Sequence, residues 1–481
     1  MRPKARKSCP NCRRLQAKVE AHEARLQVLE ATIRRLEEEL AAARKNSSTS
    51  SKPPSSDIVK PPKPPVPPGQ ERRTIGGQPG HPKHDRVAFP PEMINGGFFE
   101  YRLDICPECG TDLQPELIPA PRVVQQIDIG AMPVTIEEHR THLGWCPCCQ
   151  KRYEASLPLG ISRGGLVGPR LTTLIAYLKG ACHASFSMIR KFLRDVAGVT
   201  ISRGQLRKII GKVTEALQRP YEELLIHLPD EPVLNVDETG HKQNGERQWT
   251  WCFRAALYTL YKIDPSRSGD VLIKVLGEEF DGVLGCDYFS AYRRYQREFG
   301  VLLQFCLAHL IRDVKFLTTL PDARDRAYGE RLRGALRQLF AVIHRQEQLP
   351  ADEFQRQLTA ARADVLHSAT HDVPPTKHCQ NLALRFTKHG DSYFRFITTP
   401  GVEPTNNLAE QAIRFVVIDR LITQGTRSDS GNRWCERIWT VIATCAQQGR
   451  SVWSYLEAVV RAWFEGTTAP SLLPVAAAST E

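Results

Sequence analysis

No apolar stretch in this chain is long enough to cross a membrane, and no secretory signal opens it; the first residues are basic and then fall into heptads. These absences argue against a membrane-spanning or secreted protein and leave the cytoplasm as the expected compartment. An acidic surplus is missing as well. Against 65 Lys and Arg stand 53 Asp and Glu, a net charge of +12, which favours a polyanionic partner over an acidic-surface role. Fourteen cysteines are present, but without a secretory context they read as metal ligands and buried thiols rather than disulfides. What remains is a chain of 481 residues, 41% hydrophobic and 25% charged, enough for several domains with sizeable cores.

The pattern changes several times along the chain. Leu15, Val19, Leu26, Leu29, Ile33, Leu36 and Leu40 fill heptad a and d positions, broken only at His22. About four heptads suffice for a short coiled coil, so residues 1–45 are expected to self-associate, with a lone amphipathic helix as the alternative. Residues 46–90 form a Pro/Ser/Gly-rich basic linker, from Asn46-Ser-Ser-Thr-Ser-Ser-Lys-Pro-Pro-Ser-Ser-Asp57 to Arg72-Arg-Thr-Ile-Gly-Gly-Gln-Pro-Gly-His-Pro-Lys-His84. Such text cannot bury a core; a basic arm of this kind either follows a DNA backbone or is simply solvated.

Within 91–158, Cys106-Pro-Glu-Cys109 and Cys146-Pro-Cys-Cys149 each put two thiols on one tight turn. Four thiolates, from Cys106, Cys109, Cys146 and Cys149, satisfy tetrahedral zinc, and a zinc ribbon is expected, with Cys148 either a spare or a replacement for a neighbour. The isolated pair Cys9 and Cys12 could bind metal across a dimer or be free thiols. Residues 159–228 read as helical. Phe186 to Val196 has apolar residues at helical spacing, Gly198 is a stop, and Ser202 caps a helix carrying Arg203, Arg207 and Lys208. This is the profile of a helix-turn-helix with a basic recognition helix, against the alternative of plain helical packing.

From Glu231 the text becomes strand-like: Val233 to Asp237, Gln248 to Ala255 and Tyr258 to Ile263, then a helix near Val271 to Leu276, a strand Gly282 to Asp287, and another Val301 to Phe305. Three meandering strands, a helix, a strand, a helix and a strand is the order of a ribonuclease-H-like sheet, in which the first and fourth strands are neighbours. Asp237 and Asp287, each ending an apolar run, would then face one another. A helical insertion at about 318–400 precedes Glu403-Pro-Thr-Asn-Asn-Leu-Ala-Glu-Gln-Ala-Ile-Arg414, where Glu410 sits on a helix with Arg414 one turn later. The catalytic domain spans 229–468, and 469–481 is expected to be a disordered tail. Burying a carboxylate at a strand tip costs several kcal/mol unless it is paired, so three converging acids suggest hard ligands for divalent metal and phosphodiester chemistry. Asp237 as a turn residue and Glu410 as a surface partner of Arg414 are the plain alternatives.

At these residues the chain resembles transposases of the insertion-sequence-sixty-six family, Asp-Asp-Glu enzymes of bacterial insertion elements. The resemblance runs through the heptads, the Ser/Pro signature ending at Asp57, Gly76-Gly-Gln-Pro-Gly-His81, the cysteine knuckles, Val236-Asp-Glu-Thr239 and Asn406 to Arg414. It implies Asp237, Asp287 and Glu410 as a catalytic triad, magnesium (with manganese as a substitute) as the metal, and double-stranded DNA at the element's inverted repeats and target as the partner. Accessory proteins of the same element are implied too. Cys306-Leu-Ala-His309 looks like a Cys-x-x-His element of such enzymes, in which His309 orients DNA, supports the site or is a buried structural histidine. Arg420, Arg427 and Arg433 follow as phosphate-contact candidates. Gln411 departs from the family, which often carries Arg there. The expected architecture is therefore a multidomain α+β chain of coiled coil, zinc ribbon, helix-turn-helix and ribonuclease-H-like core. The expected function is metal-dependent DNA cleavage and strand transfer; the alternative is a retired transposase that only binds DNA.

Overall fold

The computed structural model describes residues 10–45, 49, 90–93, 108, 134–139, 143–148, 150–154 and 156–474. The chain divides into two units: residues 62–138, of which only short pieces are described, and a larger unit of 1–61 with 139–481. Cys106, Cys109, Cys149, the side chain of Cys146 and most of the 46–90 linker lie outside the described residues, as does Cys9.

Helix α1, Pro10–Ala43, covers the heptad region, and its a and d residues are exposed, with Leu15 at 62% and Leu29 at 50%. At the second cysteine knuckle, β1 (Leu143–Cys146) and β2 (Lys151–Glu154) make an antiparallel hairpin. Helices follow: α2 (Leu159–Gly164), α3 (Pro169–Gly180), α4 (Phe186–Ala197), α5 (Arg203–Ala216) and α6 (Gln218–His227). Local chemistry explains the α4–α5 break. Ser185 and Ser202 accept N–H bonds from Met188 and Gln205, capping each helix, and Gly198 adopts the left-handed conformation that ends α4. Ile189 and Leu193 of α4 and Leu206, Ile209, Ile210 and Val213 of α5 are buried, while Arg203, Arg207 and Lys208 face solvent.

The sheet consists of β3 (Val233–Gln243), β4 (Glu246–Arg254), β5 (Thr259–Asp264), β6 (Val283–Cys286) and β7 (Leu302–Phe305), in the order β5-β4-β3-β6-β7. The meander is antiparallel; β6 and β7 add in parallel after the crossovers α7 (Asp270–Leu276) and α8 (Ser290–Phe299). First and fourth strands are thus neighbours, as the strand order predicts. Asn244 and Gly245 both have positive φ, 51° and 91°, which closes β3 and β4 with a two-residue turn matched to strand twist. Trp251, Phe253, Leu260, Leu284, Leu303 and Phe305 fill the core around these strands.

Beyond β7 come α9 (Leu307–Leu317), the insertion helices α10 (Ala323–Ile343), α11 (Ala351–Thr370), α12 (Lys377–His389) and α13 (Arg395–Thr398), then α14 (Asn407–Thr423), α15 (Asp429–Gln447) and α16 (Val452–Glu465). Among the described residues the insertion carries no strand. The expected tail boundary at 469 is corrected. Leu472 is fully buried, and the chain is held there by hydrogen bonds from Tyr455 Oη to Pro470 O at 2.8 Å and from Gln448 Nε2 to Leu472 O at 2.9 Å.

Candidate active site

Asp237 does not end its strand. Antiparallel pairing with β4 continues to Gln243, whereas the parallel ladder with β6 stops at Asn235↔Gly285. Asp237 therefore stands where β6 leaves the sheet, and continuing that register by two residues brings it alongside Asp287. Both acids are half-buried. Each accepts a backbone N–H nearby: Glu238 N to Asp237 at 2.9 Å and Phe289 N to Asp287 at 2.8 Å. Burial pushes the Asp237 carboxyl well above the ordinary range, reinforced by the negative charges of Glu238, Asp287 and Glu410. Burial and Glu238 raise Asp287 to about 6, against the Phe289 N–H and the Arg267 guanidinium, which pull it down.

Side chains alternate along β3, so Asn235 and Asp237 share one face and Val236 and Glu238 the other. On the second face Glu238 is almost fully buried and fully occupied. Arg267 donates to Oε1 from both Nε and Nη2, at 2.9 and 2.7 Å, and Tyr292 Oη donates to Oε2 at 2.5 Å. Glu238 is consequently structural, despite sitting next to Asp237.

On the first face a polar clamp ties α14 to the sheet. Asn406, 2% exposed, donates from Nδ2 to Val236 O at 2.8 Å and accepts from Asn235 Nδ2 at 3.0 Å; its backbone N–H donates to Cys306 Sγ at 3.1 Å. Leu307 N donates to Pro404 O at 3.0 Å. Gly285 is required opposite Asn235, since a Cβ there would lie 2.5 Å from Asn235 Nδ2. The clamp sets the start of α14, and Glu410, one turn on, is brought to the acidic edge.

Glu410 does not pair with Arg414, which points to solvent. It accepts from Arg312 Nη2 at 3.2 Å and lies 3.5 Å from His309 Nδ1. Burial and then Arg312 depress His309 to about 4, so its ring is neutral near pH 7 and the contact is not an ion pair. Ligand atoms of Cys306, His309 and Glu410 lie within 4.8 Å of one another. As a soft-metal set it is poor: burial raises the Cys306 thiol, its sulfur already accepts an amide, and Arg312 already neutralises Glu410. By contrast, Asp237, Asp287 and Glu410 offer hard carboxylate oxygens with spare lone pairs, and burial raises the two aspartates, a donor set that fits magnesium or manganese.

The remaining candidates lie elsewhere. Arg203, Arg207 and Lys208 are on α5, Arg203 donating to Ser187 Oγ at 2.6 Å; Arg427 and Arg433 are exposed around the start of α15. Arg420 donates from Nη1 to Gly240 O and to Thr239 Oγ1, the latter at 3.1 Å, fastening α14 to β3. Sequence reasoning missed Asn235, Asn406 and Arg312. The spacing of His309 and Arg312, one helical turn apart, is the signal that could have found the last.

Residues 2–87 match a family of unknown function. No curated protein matches the chain. Residues 164–433 match the family described as Transposase IS66 family, a span that includes the whole sheet, the insertion, both aspartates and Glu410. With more than half of its length so matched, the protein belongs to the IS66 family of transposases.

Proposed function

We propose that this protein is a transposase of the Asp-Asp-Glu type that binds the inverted repeats of its own element and carries out DNA cleavage and strand transfer on a ribonuclease-H-like core. The observation that carries this reading is the β3–β6 register, which sets Asp237 beside Asp287 with Glu410 close enough to raise Asp237 further. Asp237, Asp287 and Glu410 would together hold the metal through their carboxylate oxygens. Bound magnesium supplies Lewis-acid stabilisation of charge on the attacking and leaving oxygens. The chain's own residues hold the carboxylates in place: the Asn406 clamp fixes the helix of Glu410, and the Phe289 N–H orients Asp287. Water is the nucleophile for cleavage and a DNA 3′-hydroxyl for joining.

The exposed heptad stripe of α1 supports homo-oligomerisation, and the sequence pairs Cys106/Cys109 and Cys146/Cys149 support structural zinc. The exposed bases of α5, with Arg414, Arg427 and Arg433, supply phosphate contacts. Among the described residues no helix is long and apolar enough to span a membrane. A cytoplasmic, nucleoid-associated role follows from the DNA substrate of this reading. Accessory proteins of the same element are further expected partners.

The test is purified protein with labelled DNA carrying the repeats that flank its gene, in magnesium or manganese, beside Asp237→Asn. Metal-dependent nicking at the repeat boundary, lost in the variant, is the expected result. Tight repeat binding without cleavage, even with the element's other proteins added, would favour the DNA-binding alternative.

A further inference from the structure

Arg312 on α9 has an unusual position for a cation near a site that must take up metal. Its Nη2 donates to Glu410 Oε1 at 3.2 Å, and its Nε reaches Ala308 O at 3.3 Å, with the two side chains 20% and 32% exposed. Among the described residues, the basic groups within ion-pair distance of the three acids are Arg312 and His309, both at Glu410, and only Arg312 makes a hydrogen bond there: His309 Nδ1, at 3.5 Å, makes none. Another nearby guanidinium, Arg267, is committed: it grips Glu238 with two nitrogens and lies over the rings of Phe289 and Trp249, at 4.0 and 4.6 Å. Arg385 and Arg293 lie over the ring of Tyr288, the former paired with Asp313 at 2.7 Å; Arg312 is the guanidinium paired with one of the three acids, and so the one whose partner metal would take.

We propose that Arg312 is an exchangeable counter-ion, holding Glu410 in the metal-free protein and binding the phosphodiester of the DNA substrate once Glu410 has turned to metal. The proposal rests on the Asp-Asp-Glu reading above. The physical argument is one of charge. A guanidinium on a carboxylate competes with any other cation for the same lone pairs, so it weakens metal uptake. When the carboxylate is taken, the guanidinium is left largely buried beside a positive centre, which is unfavourable until an anion arrives. A phosphodiester is that anion, and the planar fork of Arg matches two of its oxygens. Metal and DNA would then bind with mutual reinforcement, each relieving a cost imposed by the other.

The test compares wild type, Arg312→Gln and Arg312→Lys in the full chain. Manganese binding to the DNA-free protein is measured by calorimetry, and repeat-end cleavage at saturating manganese is measured separately. Arg312→Gln is expected to bind manganese about five-fold more tightly, the value of one modest ion pair removed. The same variant should cleave about 100-fold more slowly at saturating metal, the loss of one charged donor to the reacting phosphate. Unchanged or weaker manganese binding in a folded Arg312→Gln would overturn the proposal, as would full cleavage. Should that variant fail to fold, Arg312→Lys decides: metal affinity within about two-fold of wild type with cleavage at least about ten-fold lower supports it, and wild-type cleavage refutes it. Asp287→Asn separates the two levels of inference. If manganese binding survives in that variant, the reading of the acidic site fails; if it is lost while Arg312→Gln leaves affinity unchanged, only the counter-ion role fails.

Discussion

Asp287→Asn should make the metal-free protein more stable while destroying its activity. Asp287 is raised from 3.8 to about 6 by burial and by Glu238. A carboxyl raised in the fold is protonated there at a pH where the unfolded chain has already ionised. Its stability cost is absent below about pH 4, grows as pH rises through the window from 4 to 6, and is complete above it. Two units correspond to roughly 3 kcal/mol, so about 2–3 kcal/mol should be recovered at pH 7.5 by a neutral isostere. The amide oxygen of Asn can still accept the Phe289 N–H, so the local turn is kept. The assay is urea unfolding followed by circular dichroism in chelator, at pH 4 and at pH 7.5. A gain at pH 7.5 that vanishes at pH 4 is the expected pattern. Manganese should then stabilise the wild type and not the variant. A variant equally stable at both pH values, or less stable at pH 7.5, would refute the reasoning that Asp287 is a strained acid awaiting a cation.

Three further outcomes follow from the same geometry. Asn406→Ala leaves Asn235 Nδ2 and Val236 O buried without their partner, so it should cost about 2–4 kcal/mol in denaturant unfolding and abolish cleavage while repeat binding persists. Gly285→Ala pushes a methyl into Asn235 and should destabilise by about 1–3 kcal/mol, an effect that Asn235→Ala combined with it should reduce in a double-mutant cycle. Cleavage at limiting metal should rise as pH increases through about 6, where Asp287 ionises, with the midpoint moving lower as metal is raised; a pH-independent rate across that window would contradict it.

Much of the architecture was written in local pattern. The alternation and apolar runs of residues 233–305 announced five strands, Gly198 and the capping Ser202 marked the break between α4 and α5, and the charged helical text after Thr318 announced an insertion without strands. Asp237 and Asp287 stood out as candidates because acids at the ends of apolar runs are costly to bury, and Glu410 stood out through the helical motif around it. What only the tertiary structure decided concerns contacts between segments far apart in the chain. Asp237 lies within a long strand, at the point where one neighbour ends and the other continues, and no local pattern marks where a ladder stops. Asn406 and Asn235 read as ordinary polar residues until 171 positions of chain fold back and join them. Arg420 also fastens α14 to β3 across 180 residues, and Glu410 took Arg312 across 98 residues instead of Arg414 one turn away. Periodicity and residue type decide which side is buried and which chemistry is available; the partner each polar group finds is set by long-range packing, because a buried donor takes whichever acceptor the closed fold places within reach.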